Sequence, residues 1–208
     1  MQMADLTNLS RDVTPSEFFT EILPEVLGEV ELPSGLGTER LQIHVTGDDG
    51  IHLHMGVDAD GDLTIEEGDA AAPPIAVTLS CGDFRSLVAG DLRDKVKAVT
   101  GNVPIGPRQL RKAFLPDAKI QRIKALKGDL QTRIVDKDDG VTYAITVTLG
   151  GAAPNADKPA CTVTLDVPTL LEVVLGKQQA QQLFFQGRIR VDGDMGVMLG
   201  LMSALTAP

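Results

Sequence analysis

The sequence predicts an α+β protein whose sheet is mostly antiparallel and whose chain is internally duplicated. Three observations lead there. Several segments alternate apolar and polar residues, the period of a half-buried strand. Turns rich in Gly and Asp join them as hairpins, which favours antiparallel pairing. A set of elements in the first half also recurs, in order, in the second.

Residues 1–14 are polar and expected to be loosely ordered. Ser16 is expected to cap a helix running from Glu17 towards Leu27, which Pro24 should kink or stop. Pro33, Gly35 and Gly37 mark a loop. Leu41, Ile43 and Val45 share one face of a strand, and Ile51, Leu53, Met55 and Val57 one face of the next. Gly47-Asp48-Asp49-Gly50 is the hairpin turn between them. A second turn, Asp58 to Asp62, leads to a strand beginning with Leu63 and Ile65. After a loop from Asp69 to Pro74, Ile75, Val77 and Leu79 alternate again, and Asp83 to Ala89 reads as a short helix capped by Gly90.

The second half follows the same plan. Leu130 to Val135 and Val141 to Leu149 are strands around Asp138-Asp139-Gly140, and Cys161, Val163 and Leu165 alternate. Pro168 to Leu175 is a short helix closed by Gly176, with Pro at its start and Gly past its end. At an offset of 86, Pro73 to Gly90 aligns with Pro159 to Gly176, and six of the 18 positions are identical. At an offset of 90, Asp48 to Ile51 meets Asp138 to Val141. The competing reading is that any two hairpins look alike. The matching order of turn, strand and helix favours a duplicated unit, residues 16–102 as a truncated copy and 103–208 as a copy with a complete C-terminal tail.

Composition narrows the function. The chain has 208 residues with 19 Lys+Arg against 29 Asp+Glu, a net charge of -10. That argues against general affinity for nucleic acid, whose phosphates need a basic surface. Apolar residues make up 43% and aromatics only 3%, so the core must be aliphatic. The N-terminus lacks the apolar run of a signal peptide. Met195 to Leu205 is far short of the roughly 20 residues of a spanning helix. A cytoplasmic protein is expected. Cys81 and Cys161 lie in strand or strand-end contexts. A disulfide between them is open, but buried free thiols are the expected state.

Four segments carry candidate chemistry. Met195, Met198, Leu199, Met202 and Leu205 fall on one face of a C-terminal helix. They read either as ordinary core or as an adaptable wall over a ligand, since methionines re-pack readily. His44, His52 and His54 lie on the polar side of one hairpin, with His44 opposite His52 or His54. Imidazoles that close can bind zinc or nickel. The expected reading is three solvent-facing residues without a metal, because no cysteine or carboxylate outside the turn is visibly placed to complete a site. Asp58 to Thr64 has carboxylates at positions 1, 3 and 5 of a calcium loop. Leu63 stands where that loop needs Gly and Asp69 where it needs Glu, so a hairpin turn is expected. Arg108 to Lys127 holds seven basic residues and one acid. It reads as an amphipathic helix, kinked around Pro116, that either docks on anionic headgroups or presents a solvated face. No nucleophile–base motif or phosphate loop appears, so no catalytic residue and no cofactor are expected.

Two features of the second half resemble the sterol carrier protein 2 (SCP-2) family. One is the tail Phe184-Phe185-Gln186-Gly187-Arg188-Ile189-Arg190-Val191-Asp192-Gly193-Asp194-Met195. The other is Thr162-Val163-Thr164-Leu165-Asp166 followed by a short helix closing at Gly176. The resemblance implies a mixed sheet with helices over one face, enclosing an apolar tunnel for a sterol, fatty acid or acyl chain. It implies a ligand site made by Phe184, Phe185, Met195, Met198, Leu199 and Met202, between the second copy's sheet and its last helix. The sequence departs from the family pattern in its Gln-rich helix before Phe184, in Arg188-Ile189-Arg190 where a lysine-rich strand is usual, and in the extra copy. Binding and transfer of an apolar ligand is the expected function. The alternatives are a non-catalytic interaction module that forms a homodimer and an enzyme accessory domain without ligand.

Overall fold

Eight strands form one mixed sheet in the computed structural model, which describes residues 6–28, 40–58, 60, 62–101 and 115–206. They are β1 (Leu41–Thr46), β2 (Ile51–Val57), β3 (Leu63–Glu67), β4 (Ile75–Ser80), β5 (Gly128–Asp136), β6 (Val141–Leu149), β7 (Cys161–Asp166) and β8 (Arg190–Gly193). Their order across the sheet is β3-β2-β1-β4-β6-β5-β7-β8. Two pairs, β1–β4 and β5–β7, are parallel, and the other five are antiparallel. The hairpin-rich sequence thus gives the expected antiparallel-dominated sheet.

The helices are α1 (Pro15–Glu17), a π-helical turn (Phe18–Ile22), α2 (Leu23–Gly28), α3 (Cys81–Val88), α4 (Asp91–Thr100), α5 (Asp117–Lys124), α6 (Val167–Val174), α7 (Ala180–Phe185) and α8 (Met195–Thr206). The first cap is Thr14 and not Ser16. The Thr14 Oγ1 accepts the Glu17 N–H at 3.1 Å, and Pro15 takes the first helical position, where its missing N–H costs nothing. Pro24 does not stop the helix. The turn ahead of it widens to π geometry, with the Leu23 N–H bonded to the Phe18 carbonyl, so the missing proline donor is absorbed. α3 and α6 begin alike at strand ends: Ser80 Oγ accepts the Asp83 N–H at 3.0 Å and Asp166 Oδ1 accepts the Thr169 N–H at 3.0 Å. Gly176 closes α6 with φ +66°. Gly90 is not such a cap. It is extended (φ −110°) and stands at the start of α4, a helix that the sequence pattern did not suggest.

Part of the connectivity recurs in both halves, although β3, between β2 and β4, has no counterpart between β6 and β7. β1 and β2 form a hairpin, β4 lies parallel to β1 on its other side, and α3 follows. β5, β6, β7 and α6 repeat this order. The parallel registers correspond, Leu41 beside Ile75 and Leu130 beside Cys161. The hairpins do not match residue for residue: the first closes at Val45 and Ile51, the second two residues further out at Asp136 and Val141. The expected boundary at 102 and 103 falls outside the described residues. So do the loop at 33–37, two residues of the 58–62 turn, and residues 108–114 of the basic segment.

Register separates the sheet into two chemically different faces. Ile43, Val45, Leu53, Met55, Leu79, Ile134, Leu149 and Cys161 point to one face, and all the helices named above pack there. Buried Phe18, Phe19, Leu23 and Phe84 cover the first half, with ring centroids 5.1–5.6 Å apart among the phenylalanines. Leu183 and Val167 cover Ile134 and Tyr143, while Val197 and Ile123 cover Leu149 and Cys161. The halves are not separate. Leu92 of α4 packs in the second group, Ile75 of β4 against the third, and Leu87 against both the first and the second. The opposite face carries Gln42, Thr78, Thr146, Thr148 and the histidines. Both cysteines are buried and free.

Candidate functional site

The middle of the apolar face is incompletely filled. Leu41, Ile43, Met55, Val77, Leu79 and Ile145 form the floor of a cavity of about 230 Å³, from strands β1, β2, β4 and β6. Its walls are Phe18, Phe19 and Leu23 from the N-terminal helical segment and Phe84, Leu87 and Val88 from α3. Three of the six phenylalanines of the chain are therefore spent on this one space. Every lining side chain is apolar, so the cavity offers dispersion and desolvation but no acid, base or nucleophile. Val77 and Leu79, on a central strand, stay partly accessible on this face.

None of the six residues expected to bind ligand lines this space. Phe184 is half-buried among the residues around Leu183, and Phe185 is 77% exposed. On α8 the buried stripe is Val197 and Ala204, with Leu201 and Met198 partly buried beside them. Met195, Leu199 and Met202 lie on the outward side, 40%, 55% and 46% exposed. The helix is apolar nearly all round, so spacing alone picks out a stripe on either side with equal ease.

The tail motif has a structural logic. Gly193 has φ +92°, and a Cβ there would meet the Ala160 carbonyl oxygen at 2.3 Å. Its neighbour Asp194 donates its N–H to that same carbonyl at 2.8 Å, and its Oδ1 accepts the Gly196 N–H to start α8. Arg188 grips Glu172 of α6 with two bonds of 2.7 and 3.0 Å and reaches Thr169 Oγ1 at 3.1 Å. The segment thus ties α6, β7 and α8 together. Within the described part of the basic segment, Ile120 and Ile123 are buried against the body. Lys119 donates to the Leu205 carbonyl at 2.6 Å, at the end of α8.

The polar face carries a second grouping. His44 pairs with His52 across the hairpin, their rings stacked 4.5 Å apart. Asp69, from the loop after β3, reaches both. The sequence set His44 opposite His52 or His54, and the register gives His52. Only His52 is solvent-facing: the His44 and His54 side chains are 15% and 14% exposed. No sequence pattern marked the approach of the Asp69 carboxylate to the histidines. His54 lies beside Glu66 instead, at 3.3 Å. Among the described residues no helix is long and apolar enough to cross a membrane.

Residues 108–206 match the SCP-2 sterol transfer family. Sterol carrier protein 2 of Bos taurus is 32% identical over 99 residues, which are 45% of this chain and 18% of the bovine protein. The aligned stretch is therefore under a fifth of that relative's length. Among solved structures, sterol carrier protein 2 from Yarrowia lipolytica in its apo form is 19% identical. It covers 59% of this chain and 95% of that one, with a TM-score of 0.33. The sec-alkylsulfatase Pisa1 from Pseudomonas sp. is 25% identical over 42% of this chain and 14% of that one, with a TM-score of 0.27. Neither structural likeness is close enough to carry an argument about the site.

Proposed function

We propose, from the match of residues 108–206 to the SCP-2 sterol transfer family, that the chain is a non-catalytic carrier that binds the alkyl part of a lipid. The observation that carries this reading is the wholly apolar cavity over β1, β2, β4 and β6. Each methylene moved from water into such a space contributes about 0.8 kcal/mol. The volume of about 230 Å³ lies just below the roughly 300–1,000 Å³ usual for small-ligand pockets. That size favours a single acyl chain over a fused-ring sterol. The polar head would stay outside, because no lining residue could satisfy it.

Native mass spectrometry of untagged protein is the direct test. Fatty acyl species retained at one per chain, or taken up from added palmitate, are the expected result. A protein that stays free of ligand in palmitate excess would contradict the reading.

A second reading is favoured by one observation. Met195, Leu199, Met202 and Leu205 form an exposed apolar stripe along α8, the kind of surface that marks a contact site. On this reading the protein is an interaction module that pairs with a second copy. Sedimentation analysis separates the two: a dimer lost on Met202→Glu supports it, and a monomer at high concentration removes it.

A further inference from the structure

The face of the sheet turned away from the cavity holds a site of a different chemistry. His44 on β1 and His52 on β2 are directly opposite each other, the cross-strand arrangement that brings two side chains closest on one face. Asp69 completes the group. Its Oδ1 lies 3.0 Å from His44 Nε2 and 3.7 Å from His52 Nδ1. One ligand atom from each of the three residues fits within a span of 4.8 Å. Atoms bound at about 2.0–2.1 Å to a tetrahedral zinc ion are about 3.3–3.4 Å from one another. The two distances to the carboxylate bracket that value.

We propose that His44, His52 and Asp69 bind a divalent transition-metal ion of the zinc class, through two imidazoles and one carboxylate. Two neutral nitrogens and a carboxylate suit zinc, nickel, copper or cobalt better than magnesium or calcium, which prefer all-oxygen shells. Three protein ligands leave a coordination position for water or an outside ligand.

A support built beneath the ligands distinguishes this group from a chance surface cluster. Gln42 is 1% exposed and spends its amide on the loop that carries Asp69. The two N–H groups of its Nε2 are shared among three acceptors, the Leu53 carbonyl at 3.0 Å, the Gly68 carbonyl at 3.1 Å and Asp69 Oδ1 at 3.2 Å. Its Oε1 accepts the Ala70 N–H at 2.7 Å. A buried amide that orients a ligating carboxylate is the outer-shell partner that metal sites rely on.

The test uses full-length protein without a histidine tag. Zinc is titrated by calorimetry and cobalt by its visible absorption, which reports the coordination geometry itself. One zinc per chain and tetrahedral cobalt bands are expected. His52→Ala and Asp69→Asn should each weaken binding at least about tenfold. His54→Ala, beside Glu66 on the same face, should leave it unchanged. The His52 and Asp69 side chains are 52% and 68% exposed, so neither substitution should disturb folding, and circular dichroism of each variant is the control. Absence of zinc heat and cobalt bands in the wild type would overturn the proposal. So would a His52→Ala/Asp69→Asn double variant that binds like the wild type, or a loss in His54→Ala as large as in His52→Ala.

Discussion

Asp166 shows how much one residue carries here. It ends β7 and begins α6. Lys137 donates to its carboxylate at 2.7 Å, and Thr169 donates both its hydroxyl and its N–H. The Lys137 ammonium first, then these bonds, hold its carboxyl down at about 2, against 3.8 for an ordinary aspartate. A carboxyl depressed on folding contributes stability above its unfolded value, and loses it as pH falls through the folded one. The depression corresponds to about 2 kcal/mol. Asp166→Asn should therefore lower stability at neutral pH by about 1–2 kcal/mol. It should also remove part of the fall in the urea midpoint between about pH 4 and pH 2, and an unchanged acid limb would contradict this. Gly193→Ala should be worse tolerated, since its Cβ collides with the Ala160 carbonyl oxygen. Thermal melts should place it below Gly176→Ala, whose Cβ meets nothing within 4 Å although φ is positive at both. The sequence shows these glycines and aspartates as punctuation. It does not show which carbonyl lies behind each, because those contacts come from distant residues.

At the level of elements, alternation made the strands legible. Leu41, Ile43 and Val45 lie on one face as the pattern requires, and His44 meets His52. A period of two admits few readings when one face must be buried. The helices were harder. α4 follows α3 after a two-residue break, and its charged sequence gives only a weak apolar stripe around Leu92 and Val96. α8 has the opposite difficulty, with apolar residues on both sides. Its two faces make a sharp comparison. Leu201→Glu puts a carboxylate on the partly buried side that packs against the group of Ile123, Leu149 and Val197, and should cost about 1–3 kcal/mol. Met202→Glu, one residue on and 46% exposed, should change stability by less than about 0.5 kcal/mol. Denaturant midpoints of the two variants decide it, and a larger loss for Met202→Glu would mean that the helix is packed the other way round.

For the whole molecule, the central junction is β4 against β6, with Val77 beside Val147 and Leu79 beside Ile145. It makes one sheet of the two halves. Lys95 of α4 adds a tie by binding Asp136 and, at 2.7 Å, Asp139 in the second hairpin. The Lys95 ammonium, first among the causes, lowers the buried Asp136 carboxyl below its usual range. A shared core of this kind predicts a single calorimetric unfolding transition for the chain. Two transitions would show halves that unfold independently. The order of hairpin, parallel strand and helix occurs in each half, β3 aside, and both sets lie in one sheet. The same junction explains why the cavity was not found from the sequence. Its floor takes Ile145 from the second half and its walls from residues 18–23 and 84–88, so no local pattern marks it. Titration with a fluorescent fatty acid is the measurement that reaches this claim most directly. Val77 points into the cavity from β4, and Val77→Phe fills part of it while keeping the face apolar. We expect saturable binding by the wild type, a loss of at least about tenfold, or 1.4 kcal/mol, in Val77→Phe, and wild-type affinity in Met202→Glu. Unchanged affinity in a folded Val77→Phe variant, with binding lost in Met202→Glu, would contradict the account and return the ligand to the C-terminal helix.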